Sequence, residues 1–247
     1  MLVKSKVKYI QSLGQKKFRE EEQVFIAEGP KIINELLAAK NIPLVTLFAL
    51  QEWIDSNQSA IKVLERGQVE VIEEHDLERI SFLSTPNQVL GVFRRPVFPA
   101  MELNGRITLL LDSIQDPGNL GTILRIADWF GVQRIICSET TTDIFNPKTV
   151  QSTMGSIGRV KVEYKDLQIF LRENDHPPIY GALLNGISIA DSGRIKEGMI
   201  LIGNESNGIN ESLIGLIQHR ITIPRKGEAE SLNAAVATGI LLSHLVG

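Results

Sequence analysis

The chain has 247 residues, of which 43% are hydrophobic and 22% charged, and its net charge is −3. This length suits one large or two modest domains, of which we prefer two, and the composition excludes a disordered or fibrous protein. With no signal peptide or membrane span predicted, we expect a cytoplasmic protein. A single cysteine, Cys137, and four scattered histidines exclude an internal disulfide and a cysteine-built zinc site, so no metal is expected.

The basic residues near the N-terminus allow two interpretations. Six of them precede the first acidic residue, namely Lys4, Lys6, Lys8, Lys16, Lys17 and Arg19. They can form an RNA-facing edge, or they can be the ordinary solvated face of a helix. Surface lysines are common, so charge alone favours the second interpretation.

The N-terminal part mixes helical and extended patterns, which predicts a small α/β domain. Strands are predicted at 25–27, 43–50, 69–72 and 89–93, and helices at 9–19, 32–37, 53–66 and 76–83. A segment with two prolines, Pro96 and Pro99, and no periodicity follows. We therefore place one domain at 1–95, a linker at 96–104 and a second domain at 105–247.

The second domain alternates regularly between strands and helices. Apolar strand runs are predicted at 107–111, 134–137, 159–164, 179–184, 199–202 and 221–223, and helices at 121–130, 147–154, 166–173, 211–218 and 231–246. This alternation predicts βα units around a parallel sheet. In such sheets, ligands bind in the loops at the carboxyl ends of the strands.

The loop after the first of these strands carries polar and glycine residues. Asp116 begins a turn, Asn119 can cap the next helix, and Gly121 permits close approach of a partner. Arg125, one helical turn later, is predicted on the same side as the loop. A strand, glycine loop and helix are common to nucleotide-binding folds, and this loop lacks the G-x-G-x-x-G pattern of dinucleotide binding.

Two later loops have similar content. Gly203 ends a buried strand and is followed by Glu205, which can hold a polar group, although the loop can equally be a plain turn. Ser231 is predicted to cap the last helix, which would put Asn233 in its first turn. Asn is a poor helix former, so Asn233 is there either for its amide or to begin the helix, and the sequence does not decide between these.

Together, the three loops resemble the motifs of the SpoU (TrmH-type) branch of the SPOUT RNA methyltransferases. The matching residues are Asp116-Pro-x-Asn119-x-Gly121-x-x-x-Arg125, Gly203-Asn-Glu205-x-x-Gly208 and Ile223-Pro-x-x-Gly227-x-x-x-Ser231-Leu-Asn233. The resemblance covers about residues 105–247. Glu28-Gly29-Pro30 before a helix is similar to the substrate-binding domain that precedes it in members acting on ribosomal RNA. Arg225 and Ser206 depart from the residues that members often carry there.

The resemblance implies a parallel-sheet SPOUT fold with a deep trefoil knot, preceded by a smaller α/β substrate-binding domain. It implies a homodimeric enzyme that uses S-adenosylmethionine to methylate a ribose 2′-hydroxyl of RNA, with Trp129 and Phe130 near the dimer contact. Ribosomal RNA is favoured and transfer RNA is the alternative. The residues implied to contact the cofactor are Gly203, Asn204, Ile223, Leu232 and Leu183.

The same resemblance assigns catalytic roles to five residues. Asn119, Ser231 and Asn233 orient the hydroxyl and ribose, and Glu205 orients the pocket. Arg125 acts as a base with help from the RNA phosphate or, more economically for a permanent cation, clamps that phosphate. A non-catalytic RNA-binding protein of the same fold and a nicotinamide oxidoreductase are the other candidates. The three intact motifs argue against the RNA-binding protein, and the absence of the G-x-G-x-x-G pattern argues against the oxidoreductase.

Overall fold

The computed structural model describes residues 1–173 and 175–246, so Gly247, the last residue of the predicted second domain, lies outside it. By their internal contacts the residues form two compact units. The first consists of Met1–Phe98 and Phe145–Gly158, and the second of Pro99–Ile144 and 159–246. No helix in the described residues is long and apolar enough to cross a bilayer.

The first unit contains a four-stranded mixed sheet in the order β1-β4-β2-β3. Strand β4 is antiparallel to β1 and β2, whereas β3 is parallel to β2. Every residue of β1 is buried. The elements are α1 (Lys4–Ser12), α2 (Lys16–Glu22), β1 (Val24–Glu28), α3 (Pro30–Ala38), β2 (Leu44–Ala49), α4 (Gln51–Ser56), α5 (Gln58–Ile61), β3 (Val69–Val71), α6 (Glu74–Ile80) and β4 (Val89–Arg94).

The predicted helix at 9–19 is wrong, because two helices, α1 and α2, occupy this region. Gly14 lies between them, and a Cβ there would be 2.6 Å from the ring of Phe82. Arg19 is only 1% exposed, and its guanidinium donates a hydrogen bond to the Leu13 carbonyl, 2.7 Å away. Arg19 therefore does not belong to an RNA-facing basic edge. Lys6 is paired with Glu70, which leaves fewer free cations on this face.

Two other predicted helices are shorter than expected. The one predicted at 53–66 is divided at Asn57, whose backbone is not helical and whose amide donates to the Trp53 carbonyl. The one predicted at 211–218 is a single turn. Gln218 lies outside the helix, because its backbone N–H donates to the Ile179 carbonyl and its side-chain oxygen accepts the Ile179 N–H. These bonds to the neighbouring strand that contains Ile179 take the place of the helical hydrogen bonds predicted there.

The rest of the chain builds a six-stranded, fully parallel sheet in the order β10-β8-β9-β5-β6-β7. Helix α8 lies in this part of the sequence but belongs to the first unit. The elements are β5 (Ile107–Leu111), α7 (Pro117–Trp129), β6 (Arg134–Ser138), α8 (Pro147–Thr153), β7 (Lys161–Lys165), α9 (Leu167–Glu173), β8 (Ile179–Ser188), β9 (Gly198–Ile202), α10 (Glu211–Ile214), β10 (His219–Thr222) and α11 (Ala234–Leu245).

The strand order reverses between β5 and β9. From β5 the chain adds β6 and β7 on one side, and it then adds β8, β9 and β10 on the other. Leu111 pairs with Ile202 at the carboxyl ends of these two central strands. The loops that follow β5 and β9 therefore begin side by side, at the kind of switch point where parallel sheets bind ligands.

Strand β8 is longer than predicted and is irregular. It runs to Ser188, and its pairing with β10 jumps from Gly181 to Ile187, so residues 182–186 have no partner on β10. Gly186 lies so close to the backbone of Ile221 that a Cβ there would collide with it. Helix α11, which follows β10, packs against α7. This brings the end of the chain next to the first loop of the sheet.

Residues Phe145–Gly158 leave the second unit and pack in the first. The ring of Phe145 lies 5.5 Å from that of Phe25, and the Asn41 side chain donates to the Gly158 carbonyl at 3.0 Å. Helix α8, within this segment, contacts β1.

Candidate active site

The loop after β5 begins helix α7 through Asp116 rather than Asn119. The Asp116 carboxylate accepts the Asn119 backbone N–H at 2.8 Å, and Pro117 occupies the first helical position. The prediction that Asn119 caps this helix is therefore wrong. As a result, the Asn119 side chain is free to bond elsewhere.

The loop after β9 folds back on itself. Asn204 and Gly208 exchange two backbone hydrogen bonds, at 3.0 and 2.9 Å, which closes a tight turn around Glu205. A Cβ on Gly203 would collide with the backbone of Gly208 and Ile209. Only glycine fits at this position.

The last helix begins at Asn233, not at Ser231. The Asn233 oxygen accepts the backbone N–H groups of Ala235 and Val236, at 3.0 and 3.2 Å, so Asn233 is the N-cap of α11. The prediction that Ser231 caps the helix is wrong, and the Ser231 hydroxyl makes no hydrogen bond to a described residue. Ser231 is exposed, beside the cap.

Side chains from all three loops are connected by a series of hydrogen bonds. The Asn233 amide donates to the Asn119 oxygen at 2.9 Å, and the Asn119 amide donates to a Glu205 carboxylate oxygen at 2.5 Å. These bonds link positions 114 and 86 residues apart in sequence. Three of the five residues assigned catalytic roles thus meet directly.

Arg125 lies on α7, six residues beyond Asn119, and is exposed. Its guanidinium has no hydrogen-bond or ion-pair partner among the described residues. The neighbouring acid on the helix, Asp128, bonds instead to Arg159 at 2.8 Å. The guanidinium can therefore bind an anion without first breaking an internal ion pair.

The residues implied to contact a cofactor lie on segments near these loops. Leu183 is half-buried in the part of β8 that has no partner on β10. Ile223 follows β10, where the Thr222 hydroxyl reaches the Leu184 carbonyl at 3.4 Å. Leu232 is 45% exposed, next to the cap of α11. Gly203 and Asn204 begin the loop after β9.

Sequence reasoning missed Asp112 and Ser113. Asp112 is a buried acid at the end of β5, and Ser113 has a left-handed backbone, with φ of 59°. A charged residue directly after a buried apolar strand is a signal that could have pointed to Asp112. Nothing in the local sequence indicates the conformation of Ser113.

The arrangement offers amide groups, one carboxylate and one free guanidinium at the edge of a parallel sheet. Amides and carboxylates bind hydroxyl groups by donating to or accepting from them, and a guanidinium binds phosphate. In the part of the chain that the structure covers, no three His, Cys, Asp or Glu side chains lie close enough to hold a metal ion.

Comparison with known proteins relates both parts of the chain to RNA methyltransferases. The model of the SpoU rRNA methylase family matches residues 106–243, and that of an MRM3-like substrate binding domain matches residues 4–91. A Bacillus subtilis (strain 168) protein named 23S rRNA (guanosine(2553)-2′-O)-methyltransferase RlmP is 32% identical over 246 residues. These cover 98% of this chain and 96% of that protein.

Two solved structures are similar along almost the whole chain. A protein from Porphyromonas gingivalis assigned to the TrmH family of RNA methyltransferases has a TM-score of 0.84 at 35% identity, covering 99% of this chain and 98% of its own. An AdoMet-bound rRNA methyltransferase from Sinorhizobium meliloti has a TM-score of 0.86 at 31% identity, covering 99% and 95%. The motifs, the parallel sheet and the family match agree, and the chain belongs to the SpoU rRNA methylase family.

Proposed function

We propose that this protein methylates a ribose 2′-hydroxyl in ribosomal RNA, with S-adenosylmethionine as the methyl donor. The observation that carries the proposal is the chain of hydrogen bonds from Asn233 through Asn119 to Glu205, which joins all three motif loops. The Bacillus subtilis relative, similar along 98% of this chain, is named as a 2′-O-methyltransferase of 23S rRNA.

The cofactor supplies an activated methyl group on a sulfonium. The residues present fit such a molecule, because the 182–186 segment of β8 lacks a partner on β10, and its backbone groups other than the Leu184 carbonyl, which accepts the Thr222 hydroxyl, can meet a heterocycle edge. The Sinorhizobium meliloti structure is titled as AdoMet-bound. We assign cofactor contacts to this segment and to the loops after β9 and β10, through Leu183, Gly203, Asn204, Ile223 and Leu232.

The reacting hydroxyl has to be oriented because it is a poor nucleophile at neutral pH. Asn119 is held from both sides, by Asn233 and by Glu205, so its amide keeps one orientation toward an incoming ribose. Ser231 is exposed near the cap of α11 and can add a hydroxyl contact. The role of Glu205 in this scheme is to hold Asn119.

Arg125 clamps a phosphate of the target nucleotide. Its exposure and lack of an internal partner in the described chain support this role over that of a structural ion pair. A guanidinium forms two parallel bonds to a phosphate, which fixes the nucleotide as well as attracting it. A base role would require it to give up a proton that guanidinium groups hold tightly.

Ribosomal RNA is preferred to transfer RNA because the N-terminal residues 4–91 match a substrate binding domain and the full-length relative acts, by its name, on 23S rRNA. An enzyme of this kind works where ribosomes are assembled, which agrees with a cytoplasmic location. A non-catalytic RNA-binding protein of the same fold is the second candidate. The intact Asn119–Glu205 contact argues against it.

The proposal includes a homodimer and a knotted C-terminal segment. Trp129, on α7, is 85% exposed, which is unusual for the largest apolar side chain and is typical of an interface. Threading of α11 through a loop is supported by the close approach of Gly186 and Ile221 and by the packing of α11 on α7. Arg125 of one subunit would then bind the target nucleotide in a pocket to which the other subunit also contributes.

The test uses the full chain, radiolabelled S-adenosylmethionine, and either ribosomal RNA or transfer RNA from cells lacking the protein. Label is expected in ribosomal RNA alone, at one nucleotide that becomes resistant to alkaline cleavage. Label in transfer RNA alone would establish the alternative substrate. RNA binding without label, and no saturable heat with S-adenosylmethionine, would establish the non-catalytic protein instead.

A further inference from the structure

Asp112 connects the loop after β5 to the loop after β9. Its backbone N–H donates to the Ile202 carbonyl at 2.9 Å, just before that loop begins. Its buried carboxylate accepts the Asn210 backbone N–H at 2.7 Å, just after the loop ends. One residue thus fixes both ends of the segment that carries Glu205. The other carboxylate oxygen accepts the Ser113 hydroxyl at 3.0 Å.

Ser113 is held in a backbone conformation that residues with a side chain rarely adopt. Its N–H donates to the Ser138 hydroxyl at 2.8 Å, and its own hydroxyl bonds to Asp112 and lies 2.8 Å from the Thr140 hydroxyl. In this conformation its carbonyl accepts a hydrogen bond from the Asn204 amide at 2.9 Å. The left-handed backbone of Ser113 therefore directs its carbonyl oxygen toward the loop after β9.

The Asn204 side chain uses both of its polar ends within the protein. Its amide nitrogen donates to Ser113, and its oxygen accepts the backbone N–H groups of Ser206 and Asn207, at 2.8 and 3.1 Å. The residues on either side of Glu205 are thus fixed by one amide. The side chain is engaged in shaping the loop, and the backbone N–H donates to Gly208, so a cofactor contact at this position is left to the backbone carbonyl, which can accept a second hydrogen bond.

The orientation of Asn119 depends on this arrangement. A carboxylate only accepts hydrogen bonds, so Glu205 requires the amide nitrogen of Asn119 to face it, and the Asn119 oxygen then faces Asn233. If Glu205 moved away, only the Asn233 contact would hold the Asn119 amide, which could then tilt away from the ribose. The position of Glu205 therefore helps to fix how Asn119 faces the substrate.

We propose that Asp112, Ser113 and Asn204 form a positioning unit that acts through Glu205 to orient Asn119 for the transfer reaction. This rests on the proposed methyltransferase function. The three residues touch neither cofactor nor RNA with their side chains, and their effect on turnover passes entirely through the Glu205–Asn119 contact. A purely structural role would instead lower stability without depending on Glu205.

The experiment compares Asn204→Ala, Glu205→Ala and the double variant, with Asn207→Ala as the control. Asn207 is an exposed asparagine in the same loop, and only its backbone is bonded to Asn204. We expect Asn204→Ala to lower kcat roughly tenfold to a hundredfold while the KM for RNA changes little, since small misplacements have effects of that size. In the Glu205→Ala background, Asn204→Ala should lower kcat no further.

A second measurement needs neither RNA nor cofactor. The Asn119 side-chain amide protons, followed by nitrogen-15 NMR, should exchange with solvent faster in Asn204→Ala than in wild type and Asn207→Ala. Additive losses of kcat, or unchanged exchange in a folded Asn204→Ala protein, would overturn the positioning unit. If wild type transfers no methyl group, the proposed function fails, and the exchange measurement still decides whether Asn204 holds Asn119.

Discussion

Asn233 donates its side-chain amide to the Asn119 oxygen across 2.9 Å, and the same side chain caps helix α11 through its own oxygen. One residue therefore begins the last helix and completes the candidate site. The two roles use different atoms of the amide, so a substitution can separate them.

We expect Asn233→Asp to keep the cap but lose the site contact. An aspartate oxygen caps as well as asparagine, whereas its second oxygen would face the Asn119 oxygen and repel it. Methyl transfer should fall at least tenfold while the free energy of unfolding stays within about 0.5 kcal/mol. Asn233→Ala should lose both, with a stability loss of about 1 kcal/mol. Full activity in Asn233→Asp would contradict the assigned contact.

Arg125→Ala is expected to reduce transition-state stabilisation by about 2–4 kcal/mol, by analogy with other groups that stabilise developing charge. Cofactor affinity should be unchanged in calorimetric titration. Arg125→Lys should restore activity only in part, because an ammonium lacks the planar two-pronged contact. The control is Arg194→Ala, which removes an exposed arginine outside the three motif loops and should leave turnover unaltered. Near-normal methyl incorporation by Arg125→Ala would refute the clamp.

Gly203→Ala should disturb the loop after β9, because its Cβ would collide with the backbone of Gly208. Overpacking of this kind costs about 1–3 kcal/mol, and we expect weaker cofactor binding in addition. Gly215→Ala is the matched control, since a Cβ there meets nothing within 4 Å. Thermal unfolding and cofactor titration measure the two effects. Equal behaviour of the two variants would show that the close approach is unimportant.

Glu28 should make stability depend on pH. Burial raises the pKa of its carboxyl above the ordinary value of 4.5, although hydrogen bonds from Ser81 and Phe82 offset this in part. A raised pKa means that the ionised form is disfavoured in the folded state, so the destabilisation is absent at lower pH and grows as pH rises from about 4.5 through the folded-state pKa. Glu28→Gln removes the charge, and its oxygen can still accept the Phe82 N–H while its amide donates to the Ser81 hydroxyl oxygen.

The Tm of Glu28→Gln relative to wild type should therefore increase between pH 4 and pH 7. Glu65→Gln, which removes an exposed carboxylate, is the control. A constant difference in Tm across this range would argue against a raised pKa for Glu28.

Trp129→Arg is expected to convert a dimer into a monomer, because a charge would replace the most exposed apolar side chain of α7. Light scattering at micromolar concentration measures the change. Ile169→Arg, at an exposed apolar position on α9, should remain dimeric. A monomeric wild type would remove the proposed interface altogether.

The parallel sheet and the loops that carry the site could be predicted because both have local signatures. Apolar runs mark the buried strands, and the motif residues follow those strands directly. The helix caps were predicted at the wrong residues. Asp116 is followed by Pro117 at the first helical position, a local signal that the prediction did not use. Ser231 and Asn233 are both good cap residues at nearby positions, and their residue types do not select between them.

Long-range contacts account for the other differences. At the break between α1 and α2, Gly14 packs against the ring of Phe82, which is far from it in the sequence. The short α10 results from pairing of Gln218 with Ile179. The left-handed Ser113 is held by side chains of the next strand and loop. A pattern within 10 or 15 residues contains none of this information.

Because Phe145–Gly158 packs in the first unit, the polypeptide passes between the two units three times. The halves are therefore not interchangeable modules. A hybrid enzyme that took its N-terminal part from a relative would leave this segment facing a foreign sheet, with Phe145 lacking its ring partner Phe25. Recombination at the linker alone should give poorly folded hybrids, whereas exchanging residues 145–158 together with the N-terminal part should restore folding.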